Sequence, residues 1–187
     1  MSRGCDRIGA LSFREGDPEG KLQVIPPLIR DEFRNLSRHP GTRHLVYLLQ
    51  PGFLEDFVGM AKEDPDFQAD IFLDTLPERD MPPNISLFLP DDLLFKEKMQ
   101  ACKSLITTSG FDTIAEAALL SVPVLALPVK NHYEQRCNAV DMQLAGFGLR
   151  VDAFKLETVN NPVPYINKAY FDWINQSEKM LLDLIEK

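Results

Sequence analysis

The sequence has few of the residues that disulfide-bonded, secreted or membrane-spanning proteins depend on. Its 187 residues include three cysteines, Cys5, Cys102 and Cys137, which form no CxxC pair and are too widely spaced to indicate a disulfide framework. The longest apolar stretch, residues 117–129, is too short to span a bilayer and contains two prolines. The amino-terminal residues lack the sustained apolar core of a signal peptide. We therefore expect a cytoplasmic protein with reduced thiols.

Positive charge is also scarce, because 20 Lys and Arg residues stand against 28 Asp and Glu residues, a net charge of −8. An acidic surface repels phosphate backbones, so nucleic-acid binding is not expected. One small phosphate ligand at a local positive site stays compatible with this charge. The hydrophobic fraction of 44% suits one globular domain with a core, and the length is short for two full domains.

Short apolar runs alternate with amphipathic segments through most of the chain. Strands are predicted at residues 45–49, 70–73, 85–89, 104–107, 122–127 and 149–151. Helices are predicted at residues 53–62, 91–102, 111–120, 132–145 and 166–187. This spacing predicts an α/β fold with a Rossmann-like, doubly wound parallel sheet and helices on both faces. In such sheets ligands bind beyond the carboxyl ends of the strands.

The first 30 residues precede this alternation. Residues 7–13 form an apolar run that predicts one strand. Residues 22–29 are predicted to be extended, because Pro26 and Pro27 remove two backbone donors and forbid a helix. We interpret residues 22–29 as a linker rather than a core strand.

The turn at Ser109 and Gly110 follows a predicted strand and opens a predicted helix. The first N–H groups of a helix lack partners, and with the helix dipole they form an anion site. Gly110 lets a ligand approach the backbone, and Ser109 and Thr113 offer hydroxyl donors. The alternative is a capping box with Ser109 as N-cap and Asp112 at the third position. The Asp112 carboxylate would also repel a phosphate.

Glu116 is the only charged residue between Asp112 and Lys130. Carboxylates are rarely buried unless they are paired. Glu116 therefore marks either the solvent-facing stripe of its helix or a carboxylate that reaches a ligand. A carboxylate can accept hydrogen bonds from two ribose hydroxyls.

The predicted helix 132–145 has an apolar stripe and a polar start. The side chains at helical spacing, which we expect to be buried, are Tyr133, Cys137, Val140 and Leu144.

The polar residues of its first turns are Glu134, Gln135 and Asn138, whose donors and acceptors suit sugar hydroxyls. The alternative is a helix cap, with Asn131 as N-cap and Glu134 at the third position. His132 is the best placed histidine for a general base.

Three segments taken together resemble the C-terminal, nucleotide-sugar-binding domain of GT-B fold glycosyltransferases. They are SGxxTxxE at residues 109–116, PVLALP at 123–128 and EQxxNA at 134–139. The resemblance is to the MurG-like and UDP-glycosyltransferase branch and covers roughly residues 45–151. It implies that the chain is the C-terminal half of a GT-B fold.

The resemblance assigns the residues of these loops to the parts of a UDP-sugar. The implied diphosphate contacts are Ser109, Gly110, Thr113 and Asn138. The implied ribose contact is Glu116. The implied sugar contacts are Glu134 and Gln135. The implied base contacts, through the backbone, are Leu89 and Pro90.

The activity that the resemblance implies is an inverting, metal-independent and cofactor-free transfer of a hexose from a UDP-sugar to an acceptor hydroxyl. It divides the chain into a remnant of an N-terminal domain with a linker (1–30), a donor-binding domain (31–165) and a helix that packs back on the linker (166–187). The acceptor site and catalytic base belong to a missing N-terminal domain or a partner chain, so this chain alone is expected to be inactive. Within this chain, His132 is the candidate for the catalytic base. Contact with a membrane is expected only through an acceptor or partner.

Two features of these loops depart from the family pattern, and one is Asp112, which replaces an apolar or neutral residue. The glycine-rich loop expected after the first strand is reduced to Gln50-Pro51-Gly52. Three alternatives stay open: a non-catalytic UDP-sugar-binding subunit of a split glycosyltransferase, a UDP-sugar 2-epimerase fragment, and a Rossmann-like scaffold without a ligand.

Overall fold

The computed structural model describes residues 6–48, 51–163 and 168–186, which contain two parallel sheets. The small sheet pairs β1 (Ile8–Leu11) with β2 (Leu22–Ile25). The strands of the large sheet are β3 (His44–Tyr47), β4 (Ala69–Phe72), β5 (Ile85–Phe88), β6 (Leu105–Thr107), β7 (Val124–Ala126) and β8 (Gly148–Arg150).

The six strands of the large sheet run parallel in the order β5-β4-β3-β6-β7-β8. This confirms the predicted doubly wound sheet. The chain winds outward from β3 to β5 and then returns to β6 beside β3, so the strand order reverses between these two neighbours. Tyr47 at the end of β3 pairs with Thr107 at the end of β6. The crevice beyond these two residues is the expected ligand site of such a sheet.

Helices cover both faces of the large sheet. They are α1 (Asp31–Arg34), α2 (Leu54–Glu63), α3 (Asp92–Ala101), α4 (Phe111–Leu119), α5 (Tyr133–Ala145), α6 (Leu156–Asn160), α7 (Lys168–Ile174) and α8 (Ser177–Glu186). Leu45 and Leu105 point to a core shared with α1, α3, α4, α5 and α7. Val46 and Ile106 point to a second core shared with α2 and α6. Successive strand residues face opposite sides, so each strand is buried twice.

The amino-terminal residues pack into the first of these cores. The ring of Phe13 is buried against Phe111 and Phe147. Asp141 on α5 accepts hydrogen bonds from the Ser12 hydroxyl at 2.8 Å and the Phe13 amide at 2.7 Å. The Trp173 indole on α7 donates to the Ser12 carbonyl at 3.0 Å.

Two predicted elements differ from the structure. Residues 22–25 form a strand and not only a linker, because this part of the segment precedes the prolines and keeps the donors it needs to pair with β1. The predicted helix 166–187 is two helices in the described residues, and Ser177 turns its hydroxyl back to the Ile174 carbonyl at the break. Residues 166, 167 and 187, and likewise Leu49 and Gln50, lie outside the described residues.

The predicted buried stripe of α5 is wrong. Its four members, Tyr133, Cys137, Val140 and Leu144, are exposed.

The buried face of α5 consists instead of Asn138, Ala139 and Met142. Small Ala139 allows close packing in the core, and the Asn138 amide has a buried partner in the Ser109 carbonyl. The face of α5 that packs on the core therefore includes a polar group with a hydrogen-bond partner, and the more apolar face is exposed. No described helix is long and apolar enough to cross a membrane.

Candidate functional site

A cleft of about 460 Å³ opens where the strand order reverses. Its volume lies within the range of ~300–1,000 Å³ that is usual for ligand pockets. Its lining residues are Arg30, Tyr47, Phe72, Pro90, Asp91, Asp92, Phe95, Asp112, Thr113 and Glu116. Three predicted site residues, Thr113, Glu116 and Pro90, therefore meet in one cleft.

The turn before α4 has an unusual backbone and an orphaned hydroxyl. Ser109 adopts a left-handed conformation with φ of 75°, which is uncommon for a residue with a Cβ. Its side chain is fully buried, and its Oγ has no hydrogen-bond partner. Strained residues that carry an unpaired polar group concentrate at binding sites.

Gly110, and not Ser109, is the N-cap of α4, and no side chain caps this helix start. The capping-box interpretation of Ser109 and Asp112 is therefore wrong. The first N–H groups of α4 are left for a ligand or for water. Asn138 donates its amide to the Ser109 carbonyl at 3.0 Å, so α5 holds the turn in place.

Glu116 is buried and lies on the cleft side of α4, with 3% of its side chain exposed. The solvent-stripe interpretation is therefore wrong. Arg30 donates from Nε to Oε1 at 2.6 Å and from Nη2 to Oε2 at 3.1 Å. Burial raises the pKa of Glu116, and the hydrogen bonds from Arg30 oppose that rise. Because each carboxylate oxygen has two lone pairs, Glu116 retains acceptor capacity toward the cleft.

Arg30 is the site residue that the sequence interpretation missed. Its Nη1 also donates to Asp92 at 2.9 Å, and its guanidinium lies 4.7 Å from the centre of the Phe33 ring. The hydrogen bond to Glu116 is the main reason why the pKa of Arg30 is raised. A buried carboxylate on an otherwise apolar helix needs a cation as its partner. The sequence therefore indicated that Glu116 has such a partner, but not that the partner is Arg30.

The start of α5 carries the predicted sugar contacts and His132, the candidate general base. His132 is the N-cap, and its Nδ1 accepts a hydrogen bond from the Gln135 amide at 3.4 Å. This corrects the alternative in which Asn131 caps the helix; Asn131 has a left-handed backbone with φ of 67°. The Gln135 side-chain oxygen accepts from the Val129 amide at 2.8 Å and so ties the helix to the preceding loop. Glu134 is exposed.

Several predicted contacts do not line the cleft: Leu89, Ser109, Gly110, His132, Glu134, Gln135 and Asn138. Ser109 and Gly110 directly precede α4, whose Thr113 and Glu116 do line it. Leu89 neighbours the lining residue Pro90 but is itself exposed.

The cleft is rich in carboxylates. Asp91 caps α3, and Asp92 pairs with Arg30 and Lys96. Within the described part of the chain, Asp112 has no ion pair. Among the same residues, no group of three or more His, Cys, Asp or Glu side chains is placed to hold a metal ion.

Comparison with known proteins gives the chain a family profile and relatives. The profile described as glycosyl transferase family 1 matches residues 10–163. Two proteins of Methanosarcina acetivorans, each described as an uncharacterized glycosyltransferase, are 28% and 26% identical over 135 and 141 residues. These alignments cover 67% and 69% of this chain but 34% and 36% of the relatives. The chain thus spans about a third of the length of the curated relatives it matches.

Solved structures share the fold. The glycotransferase of kitacinnamycin matches 97% of this chain and 54% of its own with a TM-score of 0.67 at 21% identity. MurG of Acinetobacter baumannii matches 95% of this chain and 60% of its own with a TM-score of 0.60 at 16% identity. LpCGTa, solved in complex with UDP, matches 89% of this chain and 48% of its own with a TM-score of 0.56 at 14% identity.

Proposed function

Because the chain belongs to glycosyl transferase family 1, we propose that it is the donor-binding half of a glycosyltransferase that moves a hexose from a UDP-sugar to an acceptor hydroxyl. The observation that carries the proposal is the pairing of two features on α4. An uncapped helix start with the orphaned Ser109 hydroxyl precedes the helix, and the buried Glu116 carboxylate faces the cleft less than two turns further on.

The diphosphate is assigned to the start of α4. The free N–H groups and the positive end of the helix dipole attract an anion there. The Thr113 hydroxyl adds a donor at the cleft, and Gly110 leaves the approach open because it has no side chain. Ser109 is assigned to the diphosphate through its place at the turn, because its own unpaired hydroxyl is buried. Asn138 fixes the turn through the Ser109 carbonyl, which keeps these donors in position before the ligand arrives.

The ribose is assigned to Glu116. Arg30 already occupies one lone pair on each carboxylate oxygen, which fixes the orientation of the carboxylate and favours its charged form. Two ribose hydroxyls donate to the lone pairs that remain. The pairing with Arg30 therefore prepares the acceptor and also narrows the directions from which a ribose can approach it.

The base and the sugar are assigned to the two flanks of this turn. Backbone groups at Leu89 and Pro90 bind the base, since Pro90 lines the same cleft. Glu134 and Gln135 bind sugar hydroxyls from the start of α5. Gln135 uses its oxygen on the Val129 amide, so its NH₂ group is the part that faces a sugar.

The proposed reaction is an inverting displacement. The acceptor oxygen attacks the anomeric carbon from the face opposite the diphosphate, the bond from that carbon to the phosphate oxygen breaks, and UDP leaves with the electron pair. The start of α4 stabilises the negative charge that develops on the diphosphate, without a metal ion. His132 accepts a hydrogen bond at Nδ1 as the helix cap, so a neutral ring carries its proton on Nε2 and has no free nitrogen to take another. The base that takes the acceptor proton is therefore assigned to the part of the enzyme outside this donor-binding half.

The share of the relatives that the chain covers favours the assignment of a half-enzyme. The acceptor site is then assigned to the part of the relatives that these alignments leave uncovered, or to a partner chain that supplies it. A non-catalytic donor-binding subunit of a split glycosyltransferase is the second candidate. The two candidates differ only in which chain carries the catalytic base, and both predict the same affinity of this chain for UDP.

Isothermal titration calorimetry of this chain with UDP tests the proposal. We expect saturable binding of UDP, weaker binding of UMP because it lacks the second phosphate, and loss of binding in Glu116→Ala. The matched control is Glu63→Ala, which removes an exposed carboxylate at the end of α2 on the other face of the sheet and leaves UDP binding unchanged. The absence of heat at millimolar UDP, or equal losses in both variants, contradicts the proposal.

A further inference from the structure

The exposed face of α5 is an apolar surface that this chain does not cover. Its members are Tyr133, Cys137, Val140 and Leu144, which we call the α5 face. Tyr133 exposes 79% and Leu144 62% of their surface, although both are large and apolar. This stripe lies opposite the buried face of the same helix. Contiguous apolar surfaces of this kind mark interaction sites.

The spacing of the α5 face makes it complementary to itself. Its members follow one another at intervals of four, three and four residues, which is the repeat of two helices packed side by side. A twofold axis that passes between Asn138 and Ala139 maps this stripe onto an antiparallel copy. Tyr133 then packs on the second copy's Leu144, and Cys137 on its Val140, so large side chains meet at the ends and small ones meet in the centre.

The charges beside the α5 face permit this contact. One flank carries Glu134 together with the Arg14–Asp141 ion pair, whose Nε–Oδ1 distance is 3.1 Å. The twofold axis brings Glu134 of each copy toward the Arg14–Asp141 pair of the other, in which Arg14 is the group of opposite charge.

The second flank carries Arg136 and the Arg150–Asp152 pair. Across both flanks, three arginines balance Glu134, Asp141 and Asp152. A chain of net charge −8 therefore meets its copy on a locally neutral surface, which also has no electrostatic attraction for anionic lipid.

The neighbouring sheet edge does not offer an equal alternative. β8 is the edge strand, but the Gln143 side-chain oxygen accepts a hydrogen bond from the Arg150 amide at 3.0 Å. This bond occupies an edge donor that strand pairing between copies would need. Of these two neighbouring surfaces, the helix face is therefore the one suited to pair.

We propose that α5 is the contact of a symmetric antiparallel dimer of this chain. A single 13-residue helix buries less than the ~800 Å² per partner of a standard interface, so the dimer is transient, with dissociation constants of micromolar or weaker. The four apolar members of the α5 face are not assigned to the nucleotide sugar, so the contact they make does not depend on the proposed donor site. The flanking Glu134 is the one residue with a place in both proposals.

Cysteine cross-linking tests the geometry. Cys137 lies at the centre of the contact and is exposed, while burial raises the pKa of the Cys102 thiol to about 12 and makes it unreactive. A Cys5→Ser background removes the third thiol. A short bifunctional maleimide is expected to give a covalent dimer, and the same protein with Cys137→Ser is expected to give none.

Sedimentation equilibrium tests the energetics. Leu144→Glu places a carboxylate against the second copy's Tyr133, and Val140→Glu places two like charges beside the axis. Both substitutions are expected to weaken self-association at least tenfold. The matched control, Ile185→Glu, changes a side chain on α8 that is 70% exposed and lies outside the α5 face, and it leaves the association unchanged. Equal thermal unfolding of the three variants shows that they fold. A monomer at all concentrations up to about 1 mM, equal effects of the control, or a cross-link that persists in Leu144→Glu overturns the proposal, whether or not UDP binds.

Discussion

Arg30 holds both carboxylate oxygens of Glu116, and this pair joins the segment before α1 to the centre of α4. Glu116 is 97% buried by its neighbours, whereas 47% of the Arg30 side chain is exposed. The arginine therefore keeps much of its hydration while the carboxylate depends on it. This asymmetry decides what each substitution does to the fold and to the cleft.

Arg30→Ala is expected to destabilise the protein. It leaves a buried carboxylate without its cation, which costs about 1–3 kcal/mol once the exposure of Arg30 is discounted. Urea unfolding at neutral pH measures the loss. In the Glu116→Gln background the same substitution is expected to cost clearly less, because no charge is then stranded. Equal costs in the two backgrounds would show that the pair does not form in solution.

Asp112→Asn is expected to strengthen UDP binding. Asp112 lines the cleft within the first turn of α4, where its negative charge opposes the diphosphate. Removal of a like charge near the protein surface gains on the order of 1 kcal/mol, or roughly fivefold in affinity, and the gain shrinks with added salt. Calorimetry at low and high ionic strength measures both effects. An unchanged affinity at low salt would place the diphosphate elsewhere.

Gly110→Ala is expected to weaken UDP binding while the fold stays intact. Gly110 has φ of −62°, and an added Cβ would meet only Thr113 Oγ1 at 3.7 Å. The unfolding free energy should therefore change by no more than about 1 kcal/mol. The methyl group fills the space through which the diphosphate reaches the helix start, so we expect at least a tenfold loss of affinity.

The matched glycine control is Gly59→Ala on α2, where an added Cβ meets nothing within 4 Å. It is expected to leave UDP affinity unchanged and to stabilise the helix slightly. If UDP binds Gly110→Ala as tightly as the unmodified chain, the approach to α4 is not the diphosphate path.

His44 is expected to make the protein sensitive to acid. Its ring is buried, stacks 5.5 Å from Phe67 and bonds to the Ser104 hydroxyl at 2.8 Å. Burial, followed by the charge of Lys103, lowers the pKa of His44 from its usual 6.5 to about 4. In the unfolded chain His44 is therefore protonated near pH 6.5, whereas in the folded chain it is protonated only near pH 4.

The His44 contribution to stability is therefore complete above pH 6.5 and is lost as the pH falls toward 4, by at most about 3 kcal/mol. Urea unfolding at pH 7, 6 and 5 measures it. His44→Asn, which keeps a partner for Ser104, is expected to be less stable at pH 7 but to lose less stability on acidification. Parallel pH profiles for the two proteins would contradict the account.

The sequence predicted the sheet because each buried strand is a short apolar run between loops, as in Leu45 to Leu48. It also predicted the turn at Ser109 and Gly110, since its elements are local in the chain. The alternation of elements also predicted a ligand site beyond the carboxyl ends of the strands, but the strand order that places the cleft beside Glu116 comes from the structure.

The rest depends on contacts between distant residues. Arg30 and Glu116 are 86 residues apart, and no periodicity relates them. The orientation of α5 was mispredicted because hydrophobic spacing shows which face of a helix is apolar, and not which face packs against the sheet. The buried face includes Asn138, whose amide finds its partner in a carbonyl 29 residues away, and the sequence gives no signal of that contact.

The most direct measurement of the central claim is the change in amide chemical shifts of the isotope-labelled chain on titration with UDP. The account predicts that the largest changes occur at the amides of Ser109 to Thr113, with smaller ones at Pro90's neighbours and at Glu116, and that they saturate together. Changes confined to other parts of the sheet, or none at millimolar UDP, would contradict the assignment of the start of α4 as the diphosphate site.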